Sequence, residues 1–347
     1  MMKIVSPITR FSEVKALIKA GADELYCGVI PFDLLKKYGL ASCLNRRPNL
    51  FSNLNGYGEL EKLVKLAHAG NVRVGLTINE FYPQTQIELA WEQFERGLAC
   101  GVDAFIVSDI GLLYRIMKER QKNYHFEVHI SNCGTTFNSE TAEFYRGFRA
   151  SRIILPRDLN IEEISDLVGL MPVAMETEAF ILNQRCHNID GFCTFQHGIS
   201  PVRRKIVLAN CLGSFVAGMI PDWFLRFAQR SAVENELACC LDYDIKPAND
   251  SSDVKTAYSY YENRARNFLD SCGACSIYDL NSMGIGYLKI VGRCLVSDKI
   301  RDIRFIKACV GLLDSVVVRS EFVQAVQRLR KKFFGSEKGC GREYCYY

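Results

Sequence analysis

The chain has 347 residues, of which 48% are hydrophobic and 24% are charged, and its formal net charge is +4 at pH 7. This apolar fraction excludes a disordered chain, and 9 prolines against 25 glycines exclude a collagen-like repeat. A chain of this length buries roughly three quarters of its unfolded surface, so it needs no disulfide or metal merely to fold. The small net charge neither requires nor excludes a nucleic-acid partner.

The composition is unusual in its 15 cysteines, an odd number that cannot pair completely within one chain. The first residues lack a basic segment followed by a long apolar core, and no uncharged apolar stretch reaches about 18 residues. The sequence therefore predicts neither a secretory signal nor a membrane span. We expect a cytoplasmic protein in which the cysteines are metal ligands or catalytic groups rather than disulfides.

A unit of amphipathic helix, glycine and short β-branched strand recurs along the chain. Its first three copies place Gly21, Gly70 and Gly101 between a helix and a strand. A glycine in this position supplies the left-handed cap that turns the chain into the next strand. The predicted strands lie at 3–5, 24–28, 72–78, 104–107, 126–130, 153–155, 173–180 and 287–291.

Short apolar strands that alternate with helices predict a parallel sheet covered on both faces. Eight of them favour a closed (β/α)8 barrel of the TIM type, whose active site lies at the carboxyl ends of the strands. An open doubly wound sheet is the alternative. Its Gly-rich phosphate loop is missing after the first predicted strand, which favours the barrel.

The alternation of helices and strands is interrupted between residues 183 and 281, a stretch that holds seven of the cysteines. It is too long for a plain loop. The sequence predicts that 1–182 and 282–333 form the barrel and that 183–281 form a cysteine-rich insertion over its mouth, with a helix around 254–267. Residues 334–347 form a C-terminal tail.

Polar residues lie in or directly after several predicted strands, and the active site of such a barrel lies where its strands end. A ring of carboxylates and arginines suits an anionic substrate and the movement of protons, whereas salt bridges that only close the barrel mouth are the alternative. The candidates are Asn79, Glu80, Asp109, Ser131, Asn132, Arg157, Glu176, Glu178 and Arg293.

The strongest local motif has the spacing Glu-x-Phe-x5-Cys-x4-Gly-x-Cys. Its positions are filled by Glu178, Phe180, Cys186, Gly191 and Cys193. This spacing resembles the signature of the collagenase-like peptidase family U32. The likeness extends along most of the chain, from the first βα unit to the closing strand.

The resemblance implies a cofactor. Members of this family whose function is understood bind a 4Fe-4S cluster through four cysteines. They serve in oxygen-independent hydroxylation of a quinone precursor or of tRNA and rRNA bases. It carries over Cys186 and Cys193 as two ligands, and Cys211 fits the third. Cys272 and Cys275 are the candidates for the fourth, and the residues after Cys275 match the family better.

The chemistry of the residues supports this cofactor. A cluster binds soft thiolates from several chain segments, whereas structural zinc sites usually use paired CxxC knuckles. Only one CxxC is present, at Cys272 and Cys275, which favours iron. Buried cysteines that serve as small hydrophobes are the alternative. For the tail residues Cys340 and Cys345 three interpretations stay open: they complete the cluster, they form a second metal site, or they have no role.

We therefore predict oxygen-independent redox or hydroxyl-transfer chemistry on a small molecule or an RNA base. Glu178 and Arg293 are expected near the substrate, with Glu176, Asp109 and His187 as further candidate catalytic groups. An electron donor or a second subunit of the U32 type is the expected partner. No membrane and no DNA are expected to bind.

Two other functions stay open. A peptidase would need a pair such as Cys133 and His129, because the sequence has neither a His-Glu-x-x-His zinc helix nor a Gly-x-Ser-x-Gly elbow. A non-catalytic RNA-binding module with a structural metal site would use basic runs such as 203–205 and 328–332.

Overall fold

The computed structural model describes residues 2–30, 44–47, 52–119, 125–172, 174–183, 185, 190–191, 271–293, 298–335, 340 and 344–347. Four predicted site residues, and the helix predicted around 254–267, lie outside this part of the chain. These four are Cys186, His187, Cys193 and Cys211.

Eight parallel strands close into a barrel in which each strand pairs with its neighbours in sequence and β8 pairs with β1. This confirms the predicted (β/α)8 barrel and overturns the open-sheet alternative, since a closed barrel has no edge strand. The strands are β1 Lys3–Pro7, β2 Glu24–Cys27, β3 Arg73–Ile78, β4 Ala104–Val107, β5 Glu127–Ile130, β6 Arg152–Ile154, β7 Glu176–Leu182 and β8 Tyr287–Ile290.

The described helices are α1 Val14–Ala20, α2 Tyr57–Ala69, α3 Ile87–Ala99, α4 Ile110–Glu119, α5 Ser139–Gly147, α6 Ile161–Gly169, α7 Ile277–Ser282, α8 Lys299–Gly311 and α9 Arg319–Phe334. They bury apolar stripes against the strands. In α3 this stripe includes Ala90, Trp91 and Phe94, all of which are buried.

The glycines that follow the helices have the predicted role at two of the first three positions. Gly21 (φ 107°) and Gly101 (φ 80°) are left-handed, and the Gly21 N–H donates to the carbonyl oxygen of Ile18 over 2.9 Å. After α2 the left-handed residue is Asn71 (φ 56°), whereas Gly70 has a φ of −97°. Asparagine tolerates this conformation better than most side chains do.

The main apolar core lies between the strands and the surrounding helices, and it includes the fully buried thiols Cys27 and Cys309. A smaller apolar cluster lies inside the barrel, where Phe180 and Tyr287 pack with Tyr346 from the tail. Tyr346 is therefore part of the apolar cluster inside the barrel.

Where the chain returns to the barrel, near residue 272, it pairs with the end of β7 and with the C-terminal residues. Cys272 forms an antiparallel bridge with Leu182 and a parallel bridge with Cys345. The Tyr346 hydroxyl donates to the carbonyl oxygen of Asn183 over 2.6 Å, and the Tyr347 hydroxyl donates to that of Phe180 over 2.6 Å. These contacts hold residues 344–347 against the rim.

Candidate active site

A cavity of about 100 Å³ lies at the carboxyl ends of the strands. Its described lining combines a cationic set of side chains with neutral hydrogen-bonding groups, and it includes no carboxylate. The neutral groups include Thr77, Asn79 and Ser131. Such a lining suits a substrate that carries negative charge and hydrogen-bonding edges. The basic residues are Arg46, Arg47, Arg157, Lys289 and Arg293.

Arg293 follows β8 and lies in the wall of this pocket with 8% of its surface exposed. Its guanidinium donates to Thr77 Oγ1 over 3.0 Å and to Asn45 through the backbone oxygen at 3.0 Å and Oδ1 at 3.3 Å. These neutral acceptors fix the planar group from two sides. The predicted position of Arg293 at the barrel mouth is therefore observed.

Gly28, directly after β2, makes room for this arginine. A Cβ at this position would lie 2.2 Å from Arg293 Nη1, 2.3 Å from Asn53 Oδ1 and 2.5 Å from Asn45 Nδ2. The absence of a side chain at Gly28 thus sets where the guanidinium lies.

The motif segment is fixed to the same rim through Asp190. Arg157 donates from Nε to Asp190 Oδ2 over 3.0 Å and from Nη2 to Oδ1 over 2.5 Å, and its backbone N–H donates to Oδ2 over 2.9 Å. Burial raises the pKa of Asp190, but the Arg157 charge outweighs burial and lowers this pKa below its ordinary value. The carboxylate therefore stays ionised and holds Arg157 at the pocket.

Gly191 explains one position of the motif. Its φ is +85°, and a Cβ there would lie 2.1 Å from Thr135 Cγ2 and 2.7 Å from the carbonyl oxygen of Cys133. Only glycine fits both this backbone conformation and this close approach. Gly191 is thus packed tightly against the loop after β5.

A buried ionic network fills the barrel below the pocket. Arg152 is fully buried on β6 and donates to Glu24 over 2.7 Å and to Glu178 over 3.0 Å through Nη1. Its Cζ lies 3.3 Å from the centroid of the Tyr287 ring. Lys289 Nζ donates to Glu178 Oε1 over 2.5 Å. Each buried charge therefore has an opposite charge beside it, which low-dielectric surroundings require.

Glu178 lies in this network and is 1% exposed. It is absent from the cavity lining, whereas its partner Lys289 is part of it. Burial raises the pKa of Glu178, but the charges of Lys289 and Arg152 outweigh burial and lower this pKa to about 2. Glu178 is thus an anion that positions Lys289, and its predicted catalytic role stays a prediction.

This pKa predicts an acid-sensitive barrel. A glutamate ordinarily titrates near pH 4.5, and Glu178 in the fold titrates near 2. Its ionisation therefore stabilises the fold above about pH 4.5 and loses this effect as the pH falls from 4.5 towards 2. Urea unfolding at several pH values should show the loss, and Glu178→Gln should flatten it. An unchanged pH dependence in that variant would contradict the assignment.

Two other predicted catalytic residues, Glu176 and Asp109, lie apart from the pocket. Glu176 is the first residue of β7, at the amino end of the barrel, so its predicted place at the mouth is wrong. It accepts a hydrogen bond from the Tyr287 hydroxyl over 2.8 Å. Asp109 does follow β4, but its Oδ1 accepts from the Leu112 N–H over 2.8 Å and its Oδ2 from the Tyr82 N–H over 3.3 Å. Asp109 therefore caps the start of α4.

The pair that a peptidase would need is not assembled. His129 Nε2 bonds to Glu127 Oε2 over 2.8 Å within the barrel, where burial lowers the pKa of the imidazole. Cys133 lines the pocket, and burial raises the pKa of its thiol. A protonated thiol is a poor nucleophile, so this geometry does not favour peptidase chemistry.

Three charged residues that organise the site, Arg152, Lys289 and Asp190, are not singled out by the sequence patterns. The same holds for the lining residues Arg46, Arg47 and Thr77. The available signal for Arg152 and Lys289 is a charged residue within a short, otherwise apolar strand, since a buried charge in such a strand needs a partner. For Asp190 the signal is weaker, a carboxylate next to the motif glycine.

The described residues also bear on the cluster. Cys272 and Cys275 lie at the rim, on the segment that pairs with the end of β7. Among the residues that the structure describes, no three His, Cys, Asp or Glu side chains are gathered tightly enough to hold a metal ion. The soft thiolate donors that a cluster requires are present at the rim and in the sequence beside it.

The sequence profile of peptidase family U32 matches residues 9–333. The chain belongs to peptidase family U32. An uncharacterized protease of Methanocaldococcus jannaschii is 31% identical to this U32 protein over 224 residues, which are 60% of this chain and 50% of the relative.

Two relatives from Escherichia coli carry names that describe RNA. The tRNA hydroxylation protein P is 26% identical over 191 residues, which are 55% of this chain and 38% of the relative. The 23S rRNA 5-hydroxycytidine synthase is 24% identical over 196 residues, which are 56% of this chain and 26% of the relative. This U32 chain thus spans half or less of the length of these three relatives.

A solved U32 peptidase structure aligns with 84% of this chain and 92% of its own, with 14% identity and a TM-score of 0.43. Within the described part of this U32 protein, no helix is both long enough and apolar enough to cross a membrane.

Proposed function

We propose that this U32 protein hydroxylates an RNA base without oxygen and carries a 4Fe-4S cluster in its insertion. The names of two relatives, one for hydroxylation of tRNA and one for synthesis of 5-hydroxycytidine in 23S rRNA, support the substrate class. A quinone precursor or another small molecule is less well supported, because neither of these two names refers to one. The expected electron donor or second U32-type subunit stays a prediction.

The cationic pocket at the barrel mouth is the observation that carries this proposal. Its described lining contains five basic residues and no carboxylate, and three of the five pair with a carboxylate outside the lining, namely Glu80, Asp190 and Glu178. The described charges around the pocket therefore sum to an excess of positive charge, which favours an anion. An RNA nucleotide offers a phosphate for the planar arginine fork and base edges for neutral side chains. Asn79 Oδ1 is buried and has no hydrogen-bond partner among the described residues, which suits recognition of a donor on such an edge.

The residues have separable roles in this proposal. Arg293, held by Thr77 and Asn45, binds the anionic group of the substrate, and Asp190 keeps Arg157 directed at the same group. Lys289 Nζ lies between Glu178 and the pocket, so it holds the proton that an oxygen of the substrate can take.

The cluster would be held by Cys186, Cys193 and Cys211, with the fourth position at Cys272 or Cys275. When bound, such a cluster transfers single electrons. Hydroxylation takes two electrons from the base and adds an oxygen atom to it, so the reaction also requires an oxygen-donating co-substrate that is reduced in the same step. Support for the place of the cluster comes from the sequence beside the described rim. Cys193 follows Gly191 by two residues, and Cys186 precedes Asp190 by four. The redox centre would then lie next to the pocket.

Purification without oxygen tests the cofactor. We expect a brown protein containing iron and acid-labile sulfide, and we expect Cys193→Ser to lose most of both. Cys100→Ser, which changes a half-buried thiol directly after α3, is the matched control and should keep its iron. Unchanged iron in Cys193→Ser would remove Cys193 from the ligands, and zinc in place of iron in the wild type would remove the redox proposal.

Nucleoside analysis tests the substrate. We expect that RNA digests from wild-type cells contain a hydroxylated nucleoside, heavier than its unmodified parent by one oxygen atom. Digests of tRNA and rRNA from cells that lack this protein should lack that nucleoside. The wild-type gene should restore it, and Arg293→Lys should not, because lysine cannot replace the arginine fork. If every RNA nucleoside is unchanged in the deletion, the RNA substrate is wrong whatever the iron analysis gives.

A further inference from the structure

A chain of hydrogen bonds fixes the orientation of the Asn79 side chain at the pocket. An amide presents a donor on one side and an acceptor on the other, so its orientation decides which kind of ligand atom it can bind. Asn79 directly follows β3 and lines the cavity. Its Nδ2 donates to Ser131 Oγ over 3.1 Å, whereas its Oδ1 is buried and has no hydrogen-bond partner among the described residues.

Ser131 can only accept a hydrogen bond from Asn79. A hydroxyl has one proton and two acceptor lone pairs, and this one is buried. Ser131 Oγ donates its proton to Asn132 Oδ1 over 3.3 Å and accepts from the backbone N–H of Cys133 over 3.3 Å. A backbone N–H cannot become an acceptor. One lone pair therefore remains, and only the Nδ2 side of the Asn79 amide can use it.

The Asn132 amide is oriented in turn by a carboxylate. Burial raises the pKa of Asp190, but Arg157 and a hydrogen bond from the Asn132 side chain lower it. An ionised carboxylate only accepts, so Asn132 directs its Nδ2 at Asp190 and keeps its Oδ1 for the Ser131 proton. Reversing the chain would turn the Asn132 oxygen towards a negative charge. Asp190, which Arg157 holds in place, therefore sets the direction of each hydrogen bond as far as Asn79.

This direction limits which group of a base can bind at Asn79. The Oδ1 atom accepts an N–H and repels a carbonyl oxygen or a bare ring nitrogen. The relative named for 5-hydroxycytidine indicates a pyrimidine as the class of base. In uracil the N–H is at N3, and in cytosine it is part of the amino group. Both belong to the Watson–Crick edge, the edge that a base uses to pair.

We propose that Asn79 determines specificity by accepting a hydrogen bond from an N–H on the Watson–Crick edge of a pyrimidine base. This inference rests on the proposed function and deepens it, because it assigns one side chain of the same pocket to one edge of the base. That edge is occupied in a duplex, so the target base has to be unpaired. A base that leaves the buried acceptor without a donor binds about 5- to 150-fold more weakly.

Nucleotide binding to the full chain, purified without oxygen, tests the donor directly. Titration calorimetry compares UMP with UMP methylated at N3, and CMP with the same nucleotide without its amino group. Each analogue lacks the N–H of its parent. We expect at least one parent to bind at least about 5-fold more tightly than its analogue. A smaller ratio in both pairs, or no measurable binding of either parent, would overturn the proposal.

Asn79→Leu removes the acceptor and keeps a side chain of similar size. We expect this variant to bind each parent about as tightly as its analogue, and to keep the wild-type affinity for ribose phosphate, which has no base. An unchanged preference for the parent would contradict the assignment. An equal loss of affinity for all ligands, ribose phosphate included, would also contradict it, because it would make Asn79 a structural residue.

Ser131→Ala tests the chain while keeping Asn79. Without the hydroxyl, the Asn79 amide can turn its Nδ2 towards the base, so the preference for the parent should fall several-fold. Ser108→Ala is the matched control and should keep the wild-type preference. It removes another buried hydroxyl that directly follows a strand, β4, and that has no partner in the described part of the chain. Equal preferences in the two serine variants would overturn the role of the chain.

This inference and the proposed function can fail separately. If the RNA of the deletion strain lacks a nucleoside but both affinity ratios are small, the hydroxylation stands and the Asn79 assignment is wrong. If the ratios hold but no nucleoside is lost, Asn79 binds a base in a protein whose reaction is not hydroxylation of RNA.

Discussion

Replacing Arg152 with methionine is expected to destabilise the barrel by about 3 to 5 kcal/mol, the usual cost of removing one partner from a buried ion pair. Arg152 donates to Glu24 at 2.7 and 3.0 Å, to Glu178 at 3.0 Å and to Glu176 at 3.2 Å. Methionine fills much of the same volume but leaves Glu24 and Glu178 as buried, repelling carboxylates. Urea unfolding at pH 7 measures the loss.

The matched control is Arg146→Met on α5. Arg146 is also paired with a glutamate, Glu143, but its side chain is 57% exposed. Water and salt screen such a pair, so a much smaller change is expected. If both variants lose the same stability, the buried network does not stabilise the barrel in the way argued. Lowering the pH should reduce the difference in free energy of unfolding between Arg152→Met and Arg146→Met. The reason is that protonation removes the repulsion between Glu24 and Glu178.

Replacing Gly191 with alanine is expected to release the motif segment from the rim. The added methyl would lie 2.7 Å from the Cys133 carbonyl oxygen, and this backbone atom cannot rotate away as a side chain can. We therefore expect the Arg157–Asp190 contact to loosen and iron occupancy to fall several-fold. Amide hydrogen exchange around Ser131 and Asp190 should rise, a readout that does not depend on the cluster.

Gly284→Ala is the control that separates the backbone strain of a left-handed alanine from the steric clash expected in Gly191→Ala. Gly284 has nearly the same φ, +82° against +85°, but apart from its chain neighbours no atom of the described residues lies within 4 Å of the added methyl. Alanine there should cost only the left-handed strain, roughly 1 to 2 kcal/mol, without affecting iron. Equal effects of the two variants on hydrogen exchange near the rim would show that the contact with Cys133 is unimportant.

The barrel was predictable because its determinants are local. Each strand is a short apolar run, and each helix has an apolar stripe of period 3.6, so the order of elements fixes a parallel sheet. The motif residues Gly191 and Cys193 were found for the same reason, since their spacing is written in the chain. The predicted strand 173–180 begins three residues before β7, so it put Glu176 inside the strand, whereas the structure places this carboxylate at the amino end of the barrel.

The sequence by itself determined the eight-stranded barrel, the family and Arg293 at the mouth, because these follow from periodicity and from spacing between near neighbours. Only the tertiary structure decided which charges meet inside the barrel and which cysteines meet at its rim. Arg152 lies 128 positions from Glu24, and Cys272 pairs with Cys345 across the end of β7. Such contacts depend on how the barrel closes, since closure brings side chains together at distances that no local pattern encodes.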